Sequence, residues 1–256
     1  MKKIIIVLAF LLFAPSAFAA KVCDGTGDGY VIDNPNVGST SWTVGCWVWD
    51  SSTADDASYV NYGTGDARGF MVNQVSGGNI YTQQFQSGAR TGGTNHALST
   101  SAWHSVIVTS SGNTIKHYID ATDGVADFTE SATDAVAQNS TDDFKICQPI
   151  ASDPWGGPEL SAKWAHCFYA NAVLDTSEIA AIADKSTCPT SIATHSANIK
   201  IFLKGTSGSA VTDSSTNAFS VTTNGNPTDD SGPGSLPCDG GSTAKPFSVL
   251  QAMGED

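Results

Sequence analysis

Ala102–Asp120, AWHSVIVTSSGNTIKHYID, holds two β-rich runs, His104–Ser110 and Thr114–Asp120, around Ser111-Gly112-Asn113. Gly and Asn tolerate positive φ, so they suit a tight turn whose twist matches the strands it joins. Successive strand residues point to opposite faces, which puts Val106 and Val108 on one face of the first run. Ile115 and Ile119 share one face of the second. The stretch predicts a β-hairpin at the centre of an antiparallel sheet.

The segments on either side add strands. Ser41–Asp50, SWTVGCWVWD, is the most aromatic run and predicts a strand over Trp42–Trp49. Further strands are expected at Tyr30–Asp33, Tyr59–Tyr62, Gly69–Gln74, Asn79–Gln86, Phe144–Cys147, Lys163–Ala170, Ile199–Leu203 and Phe219–Thr223. Regular spacing with Gly-rich turns is the signature of a sandwich or barrel. Ser87–Ser101 and Ala121–Asp143 read as polar loops. A single helix opens at Asp175-Thr176-Ser177-Glu178: Asp or Thr caps it, and Ile179, Ile182 and Ala183 form its apolar stripe.

The first twenty residues carry a secretory signal. Lys2-Lys3 is basic, Ile4–Phe13 is apolar but too short to span a bilayer, and Ala17-Phe18-Ala19 is a cleavage site. The expected organisation is therefore a signal peptide at 1–20, one sandwich domain at 21–228 and a flexible tail at 229–256. Without Lys2 and Lys3 the formal charge moves from −13 to −15. So acidic a chain lacks the basic footprint of a nucleic-acid binder or of a protein held on anionic membrane. Export makes disulfides the default for Cys23, Cys46, Cys147, Cys167, Cys188 and Cys238. Six cysteines allow fifteen connectivities, and the sequence does not choose among them. Cys188–Cys238, tying down the C-terminal extension, and Cys46–Cys167, between two strands, are the pairs expected here.

Several segments, taken in order, resemble laminin G-like members of the concanavalin A-like lectin/glucanase superfamily. These are Asp24–Ile32 (DGTGDGYVI), Trp42–Trp49 (WTVGCWVW), Trp103–Asp120, Lys163–Asp184 (KWAHCFYANAVLDTSEIAAIAD) and Asn198–Pro227. The resemblance implies an all-β fold: two antiparallel sheets packed as a jelly roll, with one short helix, a concave face and loops at one edge. The family's late strand commonly reads Gly-Lys-Ile-Asp-Glu. Here Ala165 and His166 stand where its acidic pair would be, which puts in doubt any metal contact the family makes there.

Relatives that hydrolyse glycans carry closely spaced carboxylates on one strand, because retaining chemistry needs two carboxyls about 5–5.5 Å apart. The glutamates here, Glu130, Glu159, Glu178 and Glu255, are isolated from one another. The histidines are scattered and there is no G-x-S-x-G elbow. His104 and His117 read as structural strand residues. Non-catalytic binding fits better, since sugar sites combine aromatic faces with amide, hydroxyl and carboxylate groups. Trp155, between Pro154 and Gly156-Gly157, is the leading ligand-binding candidate, with Tyr62, Tyr81 and Asn95 bordering the concave face. Trp42, Trp47, Trp103 and Trp164 are assigned to the core. The resemblance also admits one structural calcium ion, for which Asp24 and Asp28 are the ligands considered; turn formation is the competing role for these aspartates.

The reading is an exported, disulfide-stabilised module that binds a glycan or surface polymer in adhesion or attachment. It has no catalytic residue and no cofactor beyond that calcium ion, and it is secreted or periplasmic. A structural subunit of an extracellular or virion surface layer, using self-assembly or a protein partner, is the first alternative. It is motivated by the apolar Lys245–Leu250 segment. A polysaccharide hydrolase or lyase is the second.

Overall fold

A computed structural model of the chain describes residues 19–24, 27–50, 57–64, 68–75, 78–86, 89–92, 96–99, 101–131, 142–148, 161–205, 210–234 and 238. In chain order the strands are β1 (Ala19–Asp24), β2 (Gly29–Ile32), β3 (Ser41–Asp50), β4 (Ala57–Thr64), β5 (Arg68–Val75), β6 (Asn79–Gln86), β7 (Ala89–Gly92) and β8 (His96–Ala97). They continue with β9 (Trp103–Ser111), β10 (Thr114–Ile119), β11 (Phe128–Ser131), β12 (Asp143–Ile146) and β13 (Ser161–Ala170). The helix α1 (Thr176–Ala183) precedes β14 (Ile199–Leu203), β15 (Thr222–Asn224) and β16 (Thr228–Ser231). Two antiparallel sheets form a sandwich consistent with a jelly roll. Sheet A runs β11-β10-β9-β3-β13-β1-β16, with β14 also on β13; sheet B runs β15-β2-β12-β4-β5-β6-β7, with β8 also on β6.

The hairpin forms as the sequence predicts, with Ser111 opposite Thr114 and Gly112 at φ +57° in the turn. It lies toward one edge of sheet A; β3 takes the central place, pairing with β9 on one side and β13 on the other. Trp42, Val44, Cys46 and Val48 from β3 face the other sheet in a core shared with Tyr62, Phe70, Phe144, Trp164 and Tyr169. Trp42 stacks on Phe70 with centroids 4.2 Å apart. A second cluster on the opposite side of sheet A holds Ile107, Phe168, Phe202, Ile179 and Ile182, so α1 covers part of that outer face.

All six cysteines pair: Cys46–Cys167 and Cys188–Cys238 as expected, and Cys23–Cys147, which joins β1 of sheet A to the end of β12 in sheet B.

Three stretches differ from the sequence reading. The stretch assigned to a polar loop at 87–101 contains β7 and β8, and the one at 121–143 contains β11. At the N-terminal end of the described chain, Ala19 and Ala20 are in β1, opposite Ser231 and Asp230, and Ala20 is buried. Asp229–Ser231, given to the tail from sequence, belong with Thr228 to a strand on β1. Composition alone argues for a tail there, but Asp229 meets Lys21 at 2.5 Å and Asp230 pairs with Lys163, so two buried or half-buried ammonium groups hold the strand. Residues 1–18 and 239–256, including the signal sequence and the Lys245–Leu250 segment, lie outside the described residues. Among the described residues no helix is long and apolar enough to cross a membrane.

Candidate functional site

Of the ligand-binding residues singled out from sequence, the two that are described, Tyr62 and Tyr81, do not share a face. Trp155 and Asn95 lie outside the described residues. Tyr62 is wholly buried, edge-on to Phe70 and Tyr169, and its hydroxyl accepts the Val37 N–H at 3.1 Å. Burial pushes its phenol up to about 12. Its ring is core, which corrects its assignment to a ligand face: Tyr62 sits on the inward parity of β4, with Val60. Tyr81 faces outward on sheet B, half-buried, opposite Asn73 of β5. Asp24 belongs to β1. Asp28 is buried, and its Oδ1 accepts the Asn226 N–H at 2.6 Å, where Gly225 turns at φ +67°. That carboxylate holds the β15–β16 turn against β2.

The histidine–carboxylate contacts sort into two kinds. His104 Nδ1 lies 2.7 Å from Asp120 Oδ2, its Nε2 lies 2.9 Å from the Ser99 carbonyl, and Ser105 N–H donates to Asp120 Oδ1 at 2.8 Å. This clamp fixes the end of the hairpin, the structural role expected for His104. His195 Nδ1 lies 2.6 Å from Glu178 Oε2. Glu178 also accepts the Asp175 N–H at 3.1 Å and the Thr194 and His195 N–H groups at 2.7 and 2.9 Å. Burial acts to raise its pKa, and the His195 ring with those three N–H donors outweighs it, so the carboxyl is held below its usual range. Glu178 is thereby consumed by the helix start and the loop beyond it. His117 differs: burial lowers it to about 4, with Glu130 acting against that shift and His96 with it.

One surface feature was missed from sequence. Along β3 the side chains alternate, so with Cys46 and Val48 inward, Trp47 and Trp49 face outward from sheet A. Trp49 is in register with Trp103 of β9 on one side and with Lys163 of β13 on the other. The two indoles meet edge to face at 5.9 Å, and Lys163 Nζ lies 5.2 Å from the Trp49 ring centre. Lys163 is anchored by Asp230. Both indoles are partly exposed, whereas Trp47 beside them is buried beneath Lys185 at 4.7 Å. Trp42, Trp47 and Trp164 are buried as assigned; Trp103 is only partly buried, packed against the small buried cluster of Ala20, Trp47 and Ala165. The parity of the whole strand follows from the place of Cys46–Cys167 in the core, which the sequence leaves open.

Two partly exposed indoles set edge to face, with a paired ammonium beside them, offer apolar ring surface and hydrogen-bonding groups to a sugar ring. The cavity beneath α1, lined by Trp47, Ser105, Ile107, His166 and Ile182, is about 10 Å³. That admits one water, so it is no ligand pocket.

Residues 24–180 match the family model described as the concanavalin A-like lectin/glucanases superfamily. Among solved structures, a candidate carbohydrate binding protein from Bacteroides ovatus superposes with a TM-score of 0.63 at 13% identity, over 86% of this chain. The chain spans 62% of that structure's length. A heptameric SAP-like pentraxin from Limulus polyphemus superposes with a TM-score of 0.55 at 11% identity, over 81% of this chain and 94% of its own. At these identities the likeness is one of fold. No curated protein matches the sequence.

Proposed function

The chain belongs to the concanavalin A-like lectin/glucanase superfamily, and from that premise we propose that it is an exported, non-catalytic glycan-binding module serving adhesion or attachment. The row Trp103–Trp49–Lys163 on the outer face of sheet A carries this reading. Partly exposed indoles in register across two strands supply the stacking surface that sugar rings take, and Lys163 with Asp230 supplies polar groups beside it. Three disulfides fit an oxidising compartment. The two described glutamates, Glu130 and Glu178, are each engaged with histidine, which supports binding over hydrolysis.

The test is a glycan array followed by calorimetry on the hits, with wild type, Trp103→Ala and Trp49→Ala, in calcium and in chelator. Losing one stacking indole is expected to weaken binding at least tenfold, about 1.4 kcal/mol, with the fold retained by circular dichroism. No glycan bound in either condition refutes the reading. Release of reducing ends from a bound polysaccharide refutes its non-catalytic part.

A further inference from the structure

His117 and Glu130 come from consecutive, paired strands of sheet A, and His96 reaches them from a strand of sheet B. His96 is on β8, which pairs with β6 in sheet B; His117 is on β10 and Glu130 on β11, at the edge of sheet A. His117 follows the inward parity of Ile115, and Glu130 is directly opposite Ile115, so both point into the gap between the sheets. His96 and His117 are 2% and 0% exposed, and the Glu130 side chain is 8% exposed. Phe128 lies flat over the His96 ring, with centroids 3.4 Å apart.

Their geometry is unlike that of the other histidine–carboxylate pairs. His104 and His195 sit 2.7 and 2.6 Å from their carboxylates, the range of charge-assisted hydrogen bonds. Here His96 Nε2 and His117 Nε2 both stand 3.3 Å from the same oxygen, Glu130 Oε1. Neither nitrogen of the buried His117 ring has a hydrogen-bond partner. A buried imidazole left in that state costs free energy, which hydrogen bonding to a single carboxylate has not relieved. The arrangement matches a different demand. Ligands about 2.0–2.1 Å from a tetrahedral ion lie about 3.3–3.4 Å from each other, and all three ligand atoms are within 4.8 Å of one another.

We propose that His96, His117 and Glu130 form a three-ligand site for a divalent transition metal, clipping the β10–β11 edge of sheet A to sheet B. Two imidazoles and one carboxylate suit zinc, and they exclude calcium or magnesium, which take sets of oxygens. The clip sits where no described disulfide crosses between sheets. Cys23–Cys147 joins them at the β1 and β12 side, and β11 is at the opposite edge of sheet A. The fourth coordination position is left to water. The other acid–histidine cluster, Asp175, Glu178 and His195, is no such site, because both Glu178 oxygens are spent on the four hydrogen bonds already described.

The experiment uses the full-length product without a histidine tag, stripped with chelator and titrated separately with zinc and with calcium by calorimetry. Metal content after dialysis is read by mass spectrometry. Wild type is expected to keep one zinc per chain and to show no calcium isotherm dependent on these residues. With free zinc about 100-fold above Kd, the melting temperature is expected to rise by roughly 5–10 °C. Cobalt in place of zinc is expected to give the visible bands of a tetrahedral ion. His96→Gln and Glu130→Gln, both at the sandwich edge, are expected to weaken zinc binding at least tenfold and to abolish the melting shift. His195→Gln is expected to leave zinc binding unchanged. Folded wild type that retains no zinc overturns the proposal, as does zinc bound with undiminished affinity by both edge variants. The readouts involve no glycan, so this result and that of the glycan test stand apart.

Discussion

Removing the Glu178 carboxylate is expected to cost about 3 kcal/mol of stability, at neutral pH. Glu178→Ala withdraws the acceptor from three backbone N–H groups and from the His195 ring, over distances of 2.6–3.1 Å. A hydrogen bond to a charged group contributes roughly 1.5–3 kcal/mol. The four do not sum, because Thr194 is exposed and its N–H regains water, so about 2–4 kcal/mol remains. The contribution has a defined pH window. Glu178 titrates lower in the folded chain than its ordinary 4.5, so the unfolded chain takes up the proton first as pH falls. The stabilisation is fully present above about 4.5 and is lost as pH drops through the folded value. The assay is urea unfolding followed by tryptophan fluorescence, disulfides intact, for wild type and variant at neutral pH and in steps into acid. The gap between them is expected to narrow below pH 4.5, with an unchanged denaturant slope. A neutral-pH gap under about 1 kcal/mol, or one that stays constant into acid, would refute the reasoning.

Other expectations follow from particular contacts. Replacing Cys188 and Cys238 by serine opens a loop whose ends are 50 positions apart in the chain and is expected to cost about 4 kcal/mol by the loop-closure relation. Thermal melting under oxidising conditions reads it, and a loss under 1 kcal/mol would mean the extension is held by its other contacts, such as Lys204 Nζ on the Cys238 carbonyl. Gly45→Ala places a Cβ 2.4 Å from the Phe168 ring and 3.1 Å from Ile107, and is expected to destabilise by about 1–3 kcal/mol through overpacking. A neutral result in chemical denaturation would show that the α1 side of sheet A yields more easily than its packing implies.

The elements legible in the sequence are those where local pattern and tertiary environment agree. The hairpin, the Ile199–Leu203 strand and the capped helix were each readable, because alternation, turn residues and the Asp175–Glu178 spacing all state a local preference. What failed were elements whose reason is a partner far along the chain. Phe128–Ser131 has no apolar alternation, and becomes a strand because β10 offers it an edge. Asp229–Ser231 reads as the start of a polar tail, and joins the strand Thr228–Ser231 because Lys21 and Lys163 wait on sheet A for its aspartates.

The candidate sites divide in the same way. By itself the sequence determined that the chain is acidic, β-rich and carries six cysteines, since periodicity, charge and cysteine count are properties of the chain in any conformation; the lectin/glucanase kind came from the resemblance of its motifs. Only the tertiary structure decided which aromatic side chains face out. Parity along β3 is set by Cys46 and its partner Cys167 across to β13, and a shift of one residue would exchange Trp47 and Trp49 with Trp42 and Val48. Only the tertiary structure, too, brought His96 beside His117 and Glu130, because convergence across the two sheets depends on how they close upon each other.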